Sequence, residues 1–451
     1  MPKPFALFRL SAALLAGLWT AVAFGENLAE IYALALQQDP QLAAAQAAHS
    51  ANAELRPQAR ALILPQLGAY AERSREDSPE VSGAGSGVRF GGSNDFTRTG
   101  VNLNQPLLDF GAFSLLRQSK TQLRAGDLTL AGARQALLLR AAQAYFDVLA
   151  GEDELSFARA EKEALARQLD QARKRFEVGF APITDMQEAQ ARYDLALATE
   201  VSARQRLRSA LEAIRALTSR LPGRLASLAA EIPLPAPEPQ EPQAWVDRAL
   251  RDNLQLNAVL QQALLAEEEV KRQQAGHYPT LDLTASYGTC DSRRDNTSCL
   301  TQDEASDIAV RLDLPLFAGG GTQSRVRQAG HVLEQRQHEL TAVRRDVERQ
   351  ARDAYDSVLS SVAQAAAFRQ AVSSNETASA AIEAGFKVGT RTNTDVLDAQ
   401  RELYRARRDY ARSRYEFLLN QLRLEIVSGQ ADAASLARIN QMLAPAAAPR
   451  N

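Results

Sequence analysis

The chain has 451 residues, of which 52 are basic and 54 acidic, and 45% of them are hydrophobic. This length and apolar content support a large folded core and exclude a disordered or collagen-like chain. A net charge of −2 lacks the basic excess typical of nucleic-acid binders, and four His with two Cys leave little material for a metal site or cofactor.

Residues 1–25 are predicted to be a secretory signal peptide. Lys3 and Arg9 form a basic start, an apolar run follows, and small residues precede the expected cleavage after Gly25 or, as the alternative, after Ala23. An uncleaved anchor helix is the other interpretation, but the run is shorter than the roughly 20 apolar residues that a membrane span needs. No later apolar run reaches that length, so an exported chain that crosses a membrane must do so with β-strands.

Sequence motifs recur at an offset of about 210 residues, which indicates duplication of one structural unit. Phe-Glu-Val-Gly at 176–179 corresponds to Phe-Lys-Val-Gly at 386–389, and Tyr145 corresponds to Tyr355. Prolines concentrate between the two halves and predict an extended linker. The predicted organisation is a signal peptide at 1–25, a first structural repeat at 26–219, a Pro-rich linker at 220–243, a second repeat at 244–429 and a C-terminal tail at 430–451.

Each half contains two stretches in which polar and apolar residues alternate, the pattern of β-strands. In the second half they cover 281–287 and 308–316, and in the first half a weaker pair covers 66–75 and 96–105. A polar, glycine-rich loop at 82–87 joins the first-half pair. Four strands cannot close a barrel, so several chains must share one barrel if these strands span a membrane.

The helices are predicted to be unusually long, because no proline occurs between Pro106 and Pro182 or between Pro315 and Pro445. The pattern over 322–384 is helical throughout, which corresponds to a rod of about 95 Å. Near the C-terminus two neighbouring heptad seams predict a helix packed on both sides, as in a ring of helices, rather than an isolated hairpin. The seams are Val396, Leu403, Tyr410, Phe417 and Leu424, and beside them Leu397, Tyr404, Ala411 and Leu418.

With these motifs the chain resembles the TolC family of outer-membrane channels over essentially all of its predicted mature length. Matching motifs lie on both repeats, in order and at the right spacing, so the signal is specific. They are Arg-Phe-Glu-Val-Gly at 175–179, Ile-Thr-Asp at 183–185, Val-Gly-Thr-Arg-Thr at 388–392, Asp-Val-Leu-Asp-Ala at 395–399, the segment 415–422, the mature start at 26–28 and the strand at 279–286.

The resemblance implies an α+β membrane protein. It would be a homotrimer with a twelve-stranded β-barrel in the outer membrane, four strands per chain, continued by a long periplasmic α-helical barrel. Its implied function is that of a passive exit duct, not an enzyme, in multidrug efflux, type I protein secretion or both. The implied partners are outer-membrane lipid, a periplasmic adaptor (membrane fusion) protein and an inner-membrane transporter of the RND, ABC or MFS type.

Two turns, one in each repeat, are expected to form the periplasmic tip. Gly179 and Gly389 stand where helices should end, and glycine is the common residue just past a helix C-terminus. Thr184 and Thr392 each stand three residues before a side chain that can complete a capping box. Capping is one interpretation of these threonines and of the neighbouring aspartates, and it does not exclude a role in gating.

Asp395, Asp398 and Glu402 share one helical face by their spacing, which on a soluble helix is usually a solvated stripe. The resemblance maps Asp395 and Asp398 onto the constricting aspartate rings of the family. Carboxylates close together raise one another's pKa and favour a counter-cation. We therefore expect a cation-selective entrance that is narrowest at these two positions.

The resemblance also implies that Arg391 constrains the closed state by pairing across helices with Thr184 and Asp185. Phe386 departs from the family pattern, which has a tyrosine at this position. One inter-helix hydrogen bond to Asp185, worth about 1 kcal/mol, is then lost. We therefore expect the closed state to depend more strongly on Arg391.

Cys290 and Cys299 lie in the polar loop between the two second-half strands. An oxidising compartment favours a disulfide between them over two free thiols. Such a bond would staple an outward-facing loop.

Two other classes of protein remain open. A periplasmic adaptor would also combine a signal peptide with long antiparallel helices, but it needs a β-rich domain between the halves of one hairpin, and none is visible. An enzyme is disfavoured because His49, His277, His331 and His338 are scattered and no HExxH, GxSxG or P-loop pattern occurs.

Overall fold

The computed structural model describes residues 26–82, 89–229, 231–292 and 304–444. The predicted signal peptide, most of the first-half loop, Cys299 and the last residues from 445 onwards lie outside the described residues. Within the described ranges, no helix combines the length and the apolar character that crossing a membrane requires.

Long helices and one sheet make up both halves. The first half contains α1 (Leu28–Gln38), α2 (Pro40–Ala53), α3 (Leu55–Ala61), β1 (Gln66–Ser82), β2 (Arg89–Leu108), α4 (Phe110–Glu177) and α5 (Ile183–Thr218), and β3 (Ser227–Leu228) follows. The second half contains α6 (Pro242–Asp252), α7 (Leu254–Gln274), β4 (Thr280–Ser292), β5 (Glu304–Asp313), α8 (Gly321–Lys387), α9 (Asn393–Val427), α10 (Ala433–Gln441) and β6 (Leu443–Ala444).

The helices lie side by side in four columns. α4 and α8 have 68 and 67 residues, and each is therefore about 100 Å long. α2, α3 and α5 pack along α4, whereas α7 and α9 pack along both α4 and α8. The column order is thus α3 with α5, then α4, then α7 with α9, then α8. The predicted rods are confirmed.

The sheet continues the same four columns. Its strands are antiparallel in the order β1–β2–β4–β5, and they adjoin α3, α4, α7 and α8 in that order. Within the described residues, β1 and β5 each pair with one neighbour, so the sheet has two open edges. Open edges in lipid leave backbone groups without partners at several kcal/mol each, so a sheet in a membrane needs strands from other copies.

The strand boundaries differ from those that alternation predicts. β1 continues to Ser82 and β2 starts at Arg89, because backbone pairing extends into a mostly polar stretch whose sequence shows no alternation of polar and apolar residues. β5 ends at Asp313, although alternation continues to Leu316. Pro315 follows, and proline has no backbone N–H to donate to a neighbouring strand.

The two faces of the sheet differ in polarity. Residues paired across neighbouring strands share a face, and side chains alternate between faces along each strand. One face is mostly apolar and carries Leu67, Val101, Leu103, Leu283, Ala285, Ile308, Val310 and Leu312. The other carries Glu72, Arg98, Asn102, Asn104, Thr284, Ser286, Asp307 and Arg311. In the single chain Ile308 is 78% exposed, so the apolar face covers no core of its own.

Equivalent residues of the two halves make equivalent hydrogen bonds, which confirms the internal duplication. Tyr145 on α4 and Tyr355 on α8 each donate a phenol hydrogen bond to a backbone carbonyl in the segment between the halves. Asp39 and Asn253 each accept a backbone N–H at the start of α2 and α7. One fold unit therefore occurs twice, and the two units pack through α4, α7, α8 and α9.

α9 is packed on two sides, as its two seams predict. It contacts α8 on one side and α4 on the other. The buried seam residues are Val396, Phe417 and Leu424 in the first seam, and Leu397, Ala411 and Leu418 in the second.

Candidate functional site

Two helical turns lie at the end of the columns that is farthest from the sheet. α4 and α5 meet at residues 178–182, and α8 and α9 meet at 388–392. In the first turn, Gly179 N–H donates to Phe176 O at 2.9 Å and Phe180 N–H donates to Arg175 O at 2.8 Å. The second turn repeats this pattern one repeat later. It is the Schellman arrangement, in which two backbone bonds satisfy the last helical carbonyls.

Glycine is required where each turn reverses the chain. Gly179 has a φ of 78° and Gly389 a φ of 81°, in the left-handed region that a Cβ atom disfavours. Each glycine directly follows the C-cap residue of its helix, Val178 or Val388.

The two helices that leave these turns start differently. At α9, Thr392 Oγ1 accepts a bond from Asp395 N–H at 3.2 Å, and Asp395 Oδ2 accepts one from Thr392 N–H at 2.9 Å. At α5 the capping position is held by Pro182, which has no side-chain bond to offer, and Thr184 lies inside the first turn. The capping prediction is therefore correct for Thr392 and wrong for Thr184.

Asp395 is favoured in its charged form within one chain. The hydrogen bonds from Thr392, and then the charge of Arg391, hold the pKa of the Asp395 carboxyl below its usual range. A carboxylate that stays ionised is what a cation-attracting ring requires.

The two hairpins of one chain contact each other at the tip through α5 and α9. Thr394 Oγ1 donates to Glu188 Oε2 at 2.9 Å. Asn393 Nδ2 donates to the backbone carbonyl of Asp185 at 3.5 Å. Polar side chains thus hold the two hairpins together at the tip. Asp185 takes part through its backbone carbonyl, whereas the sequence led us to expect a contact of its carboxylate.

The predicted closed-state residues are not bonded to one another within the chain. Arg391 is exposed, and among the described residues its guanidinium makes no ion pair. Thr184 is also exposed, whereas Asp185 is half-buried. Within the chain, the structure thus shows no Arg391 contact to either of these two described residues.

Phe386 makes a contact that sequence reasoning missed. Its ring is buried, and the guanidinium of Arg175 lies 4.5 Å from the ring centroid. This cation–π contact joins α4 to α8 at the tip, and contacts of this kind are worth about 0.5–2 kcal/mol. The contact uses only the aromatic ring, so it does not replace the hydrogen bond that a tyrosine hydroxyl would supply.

Sequence reasoning also missed Arg192 on α5. Its Nη2 atom lies 3.0 Å from Oδ1 of Asp398 on α9. The only sequence signal is that Arg192 follows Glu188 by one helical turn, which places a basic side chain on the face that turns out to meet α9. Asp398 is therefore paired with a cation inside the chain, unlike Asp395.

The cysteine prediction falls at the opposite end of the molecule. Cys290, near the end of β4 that is remote from the helices, is disulfide-bonded. Cys299, the other cysteine of the sequence, lies outside the described residues.

The histidines are dispersed over the helical surface. His49 bonds to Asp127 at 2.7 Å between α2 and α4. His331 and His338 are exposed on α8 on either side of Glu334. The distance from His331 Nδ1 to Glu334 Oε2 is 3.6 Å, and that from His338 Nε2 to Glu334 Oε1 is 4.0 Å. In the part of the chain that the structure describes, no group of three or more His, Cys, Asp or Glu side chains could hold a metal ion.

Known proteins resemble this chain in sequence and in fold. It is 34% identical over 445 residues to the outer membrane protein TolC of Vibrio cholerae serotype O1, with 98% of each chain covered. It is 32% identical over 419 residues to the alkaline protease secretion protein AprF of Pseudomonas aeruginosa, covering 92% of this chain and 86% of AprF. The solved outer membrane protein VceC of Vibrio cholerae shares the fold with a TM-score of 0.76 and 21% identity, covering 89% of this chain and 96% of VceC.

The family described as Outer membrane efflux protein matches two segments, residues 31–220 and 245–430. These segments correspond to the two copies of the fold unit, and the interruption between them coincides with the proline-rich stretch. The resemblance expected from the tip motifs is confirmed on both copies. The chain belongs to the outer membrane efflux protein family.

Proposed function

We infer that this chain forms a passive exit duct in the outer membrane for substrates of inner-membrane pumps. One observation carries the inference: four helical columns continue, in order, into a two-faced sheet with open edges. A sheet that is apolar on one side and polar on the other suits a barrel wall between lipid and a water-filled lumen. The duct works without an enzymatic step, and its relatives are channel proteins rather than enzymes.

Three copies complete the wall. Each chain supplies four strands and four helical columns, so three chains supply a twelve-stranded barrel and a twelve-column tunnel. A barrel of about twelve strands is wide enough to leave an aqueous lumen, whereas eight strands are filled by their own side chains. The open edges of β1 and β5 are joined between neighbouring copies, which makes the homotrimer the functional unit.

The tunnel reaches into the periplasm and meets its partners at the tip. Helices about 100 Å long suit a periplasmic crossing. Relatives named for efflux and for protease secretion support both multidrug efflux and type I protein secretion. The partners are a periplasmic adaptor and an inner-membrane transporter of the RND, ABC or MFS type. The family match overturns the alternative that the chain is itself the adaptor.

The tip is the gate of this duct. Asp395 and Asp398 face the entrance as rings of three, and Arg391 reaches Thr184 and Asp185 of a neighbouring copy in the closed state. The matching glycine turns at Gly179 and Gly389 and the exposed position of Arg391 support this assignment. At the outer end, a disulfide between Cys290 and Cys299 staples the loop between β4 and β5.

Single-channel conductance of the detergent-extracted protein, together with its mass in detergent, tests the proposal. We expect a trimer with a small, cation-selective conductance that becomes larger in Arg391→Ala, because a link of only a few kcal/mol can hold the closed population. Lys387→Ala is the matched control, since Lys387 pairs with Glu383 on its own helix at 3.2 Å. A monomeric, non-conducting protein would contradict the channel, and an unchanged conductance in Arg391→Ala would contradict only the latch.

A further inference from the structure

One ion pair joins the two hairpins of a chain just above the tip. Arg192 lies on α5 and Asp398 on α9, with Nη2 and Oδ1 3.0 Å apart. The Arg192 side chain is 27% exposed and the Asp398 side chain 44% exposed. The pair is therefore partly shielded from water, so it is screened less by salt than a fully exposed pair.

The pair lies within a row of charges that alternate in sign. Glu188 lies 3.6 Å from Arg192 on α5. On α9, Arg401 lies 3.6 Å from Asp398 and 3.2 Å from Glu402. Asp398 thus has one cationic neighbour on its own helix and another on the opposite hairpin.

The two carboxylates of the proposed entrance therefore differ. Asp395 is held by the backbone and hydroxyl of Thr392 at the start of its helix, and in the described part of the chain it forms no ion pair. Asp398, one turn later, has its charge balanced by Arg192. Two positions with the same side chain contribute unequally to the field inside the entrance.

We propose that Arg192 controls the ion selectivity of the gate by neutralising Asp398 and tying it to α5 while the tip is closed. The proposal rests on the proposed function, because the carboxylates form rings only if three tips surround a pore. In the closed state Asp395 alone supplies the cation-attracting ring. Any opening that moves α9 away from α5 breaks the pair and releases a second ring at Asp398, so the open gate is more cation-selective than the closed one.

The test is the K⁺ to Cl⁻ permeability ratio, obtained from reversal potentials in a KCl gradient across planar bilayers. Arg192→Gln should raise the ratio by about twofold or more, because it removes one of the two cations beside Asp398 in each chain. Asp398→Asn should lower the ratio, because it leaves the Arg192 charge unbalanced. The double variant should return to the wild-type ratio, since the two positions again sum to no charge.

The matched control is Arg206→Gln. Arg206 also lies on α5 and forms an ion pair at 2.8 Å, but with Glu154 of α4, inside one hairpin. It should leave the ratio unchanged, and Arg192→Lys, which keeps the charge, should leave it close to the wild type. If Arg192→Gln does not assemble as a trimer, the comparison of Asp398→Asn with the double variant decides the matter, because removing Arg192 should restore the ratio only if the two charges offset each other.

An unchanged ratio in an assembled Arg192→Gln trimer would overturn the proposal while leaving the channel intact. A double variant as cation-selective as Arg192→Gln would also overturn it. A wild-type protein that conducts no ions would overturn the channel, and this inference with it.

Discussion

Some equivalent positions of the two repeats carry different residues at the tip, and the difference changes how the next helix starts. Pro182 and Thr392 hold the same place in the two turns, one residue before the next helix. Proline suits a helix start but offers no side-chain acceptor, whereas the threonine hydroxyl satisfies a backbone N–H. The start of α9 therefore depends on one hydroxyl group, and the start of α5 does not.

Thr392→Ala is expected to loosen the first turn of α9. Loss of the cap lowers the local free energy of opening by about 1 kcal/mol. Amide hydrogen exchange across residues 393–396 should accelerate accordingly. Thr184→Ala is the control, because Thr184 caps nothing, and exchange at the start of α5 should stay as it is. Equal acceleration in both variants would contradict the assignment of the cap.

Between elements, polar contacts as well as apolar seams connect α4 with α9. Tyr415 on α9 donates its phenol hydrogen to Asp153 Oδ2 on α4 at 2.7 Å. Burial raises the pKa of the Asp153 carboxyl, while the bond from Tyr415 and the charge of Arg414 oppose that rise. The ionised carboxylate is therefore less favoured in the folded protein than in the unfolded chain.

Asp153→Asn is expected to stabilise the protein near neutral pH. A raised folded-state pKa gives stability that is present below the unfolded pKa and lost as pH rises through the folded pKa. Asparagine keeps an acceptor for Tyr415 but never ionises. The free energy of unfolding should therefore rise by about 1.4 kcal/mol for each unit by which folding raises the pKa of Asp153.

The measurement is the thermal unfolding midpoint of both proteins as a function of pH. The advantage of Asp153→Asn should shrink to nothing as pH falls below the unfolded pKa of aspartate, about 3.9. Asp147→Asn, on the exposed face of the same helix, is the control for replacing an aspartate of α4 by asparagine without changing a buried contact. A constant difference at every pH would mean that packing rather than ionisation separates the variants.

Across the whole molecule, the order of the helical columns and the order of the strands are the same. Each helical column is connected to the strand at its end, in the same order across the molecule. One chain therefore supplies a continuous section of wall from the sheet to the tip. The apolar face of that wall is exposed in the single chain because lipid, rather than a protein core, is its expected neighbour.

Neighbouring positions on β5 provide a direct test of the two faces. Val310 pairs with Leu283 on the apolar face, and Ala309 pairs with Thr284 on the polar face. Val310→Arg should cost about 2–4 kcal/mol if it lies near the centre of the lipid layer, whereas an arginine facing the lumen is tolerated. The yield of heat-resistant trimers from outer membranes should therefore fall for Val310→Arg and stay high for Ala309→Arg. Equal yields would reverse or remove the assignment of faces.

The sequence alone determined the parts of this protein that follow from local pattern. Proline-free stretches predicted α4 and α8, alternation predicted the four strands, and glycines marked the places where α4 and α8 end. These features depend on backbone conformation and on the period of side-chain exposure, which neighbouring residues carry by themselves. The recurring motif also predicted the duplication, because Phe, Val and Gly hold the same places at 176–179 and at 386–389.

Only the tertiary structure decided which side chains meet across the tip. Arg192 and Asp398 are 206 positions apart, and Arg175 reaches Phe386 from the opposite repeat. Each pair depends on how far one long helix is shifted and rotated against another. No local pattern specifies that register, because every exposed residue of a helix has the same periodicity whichever neighbour it faces. The packing of α4, α5, α8 and α9 selects these partners and thereby decides which charges meet at the tip.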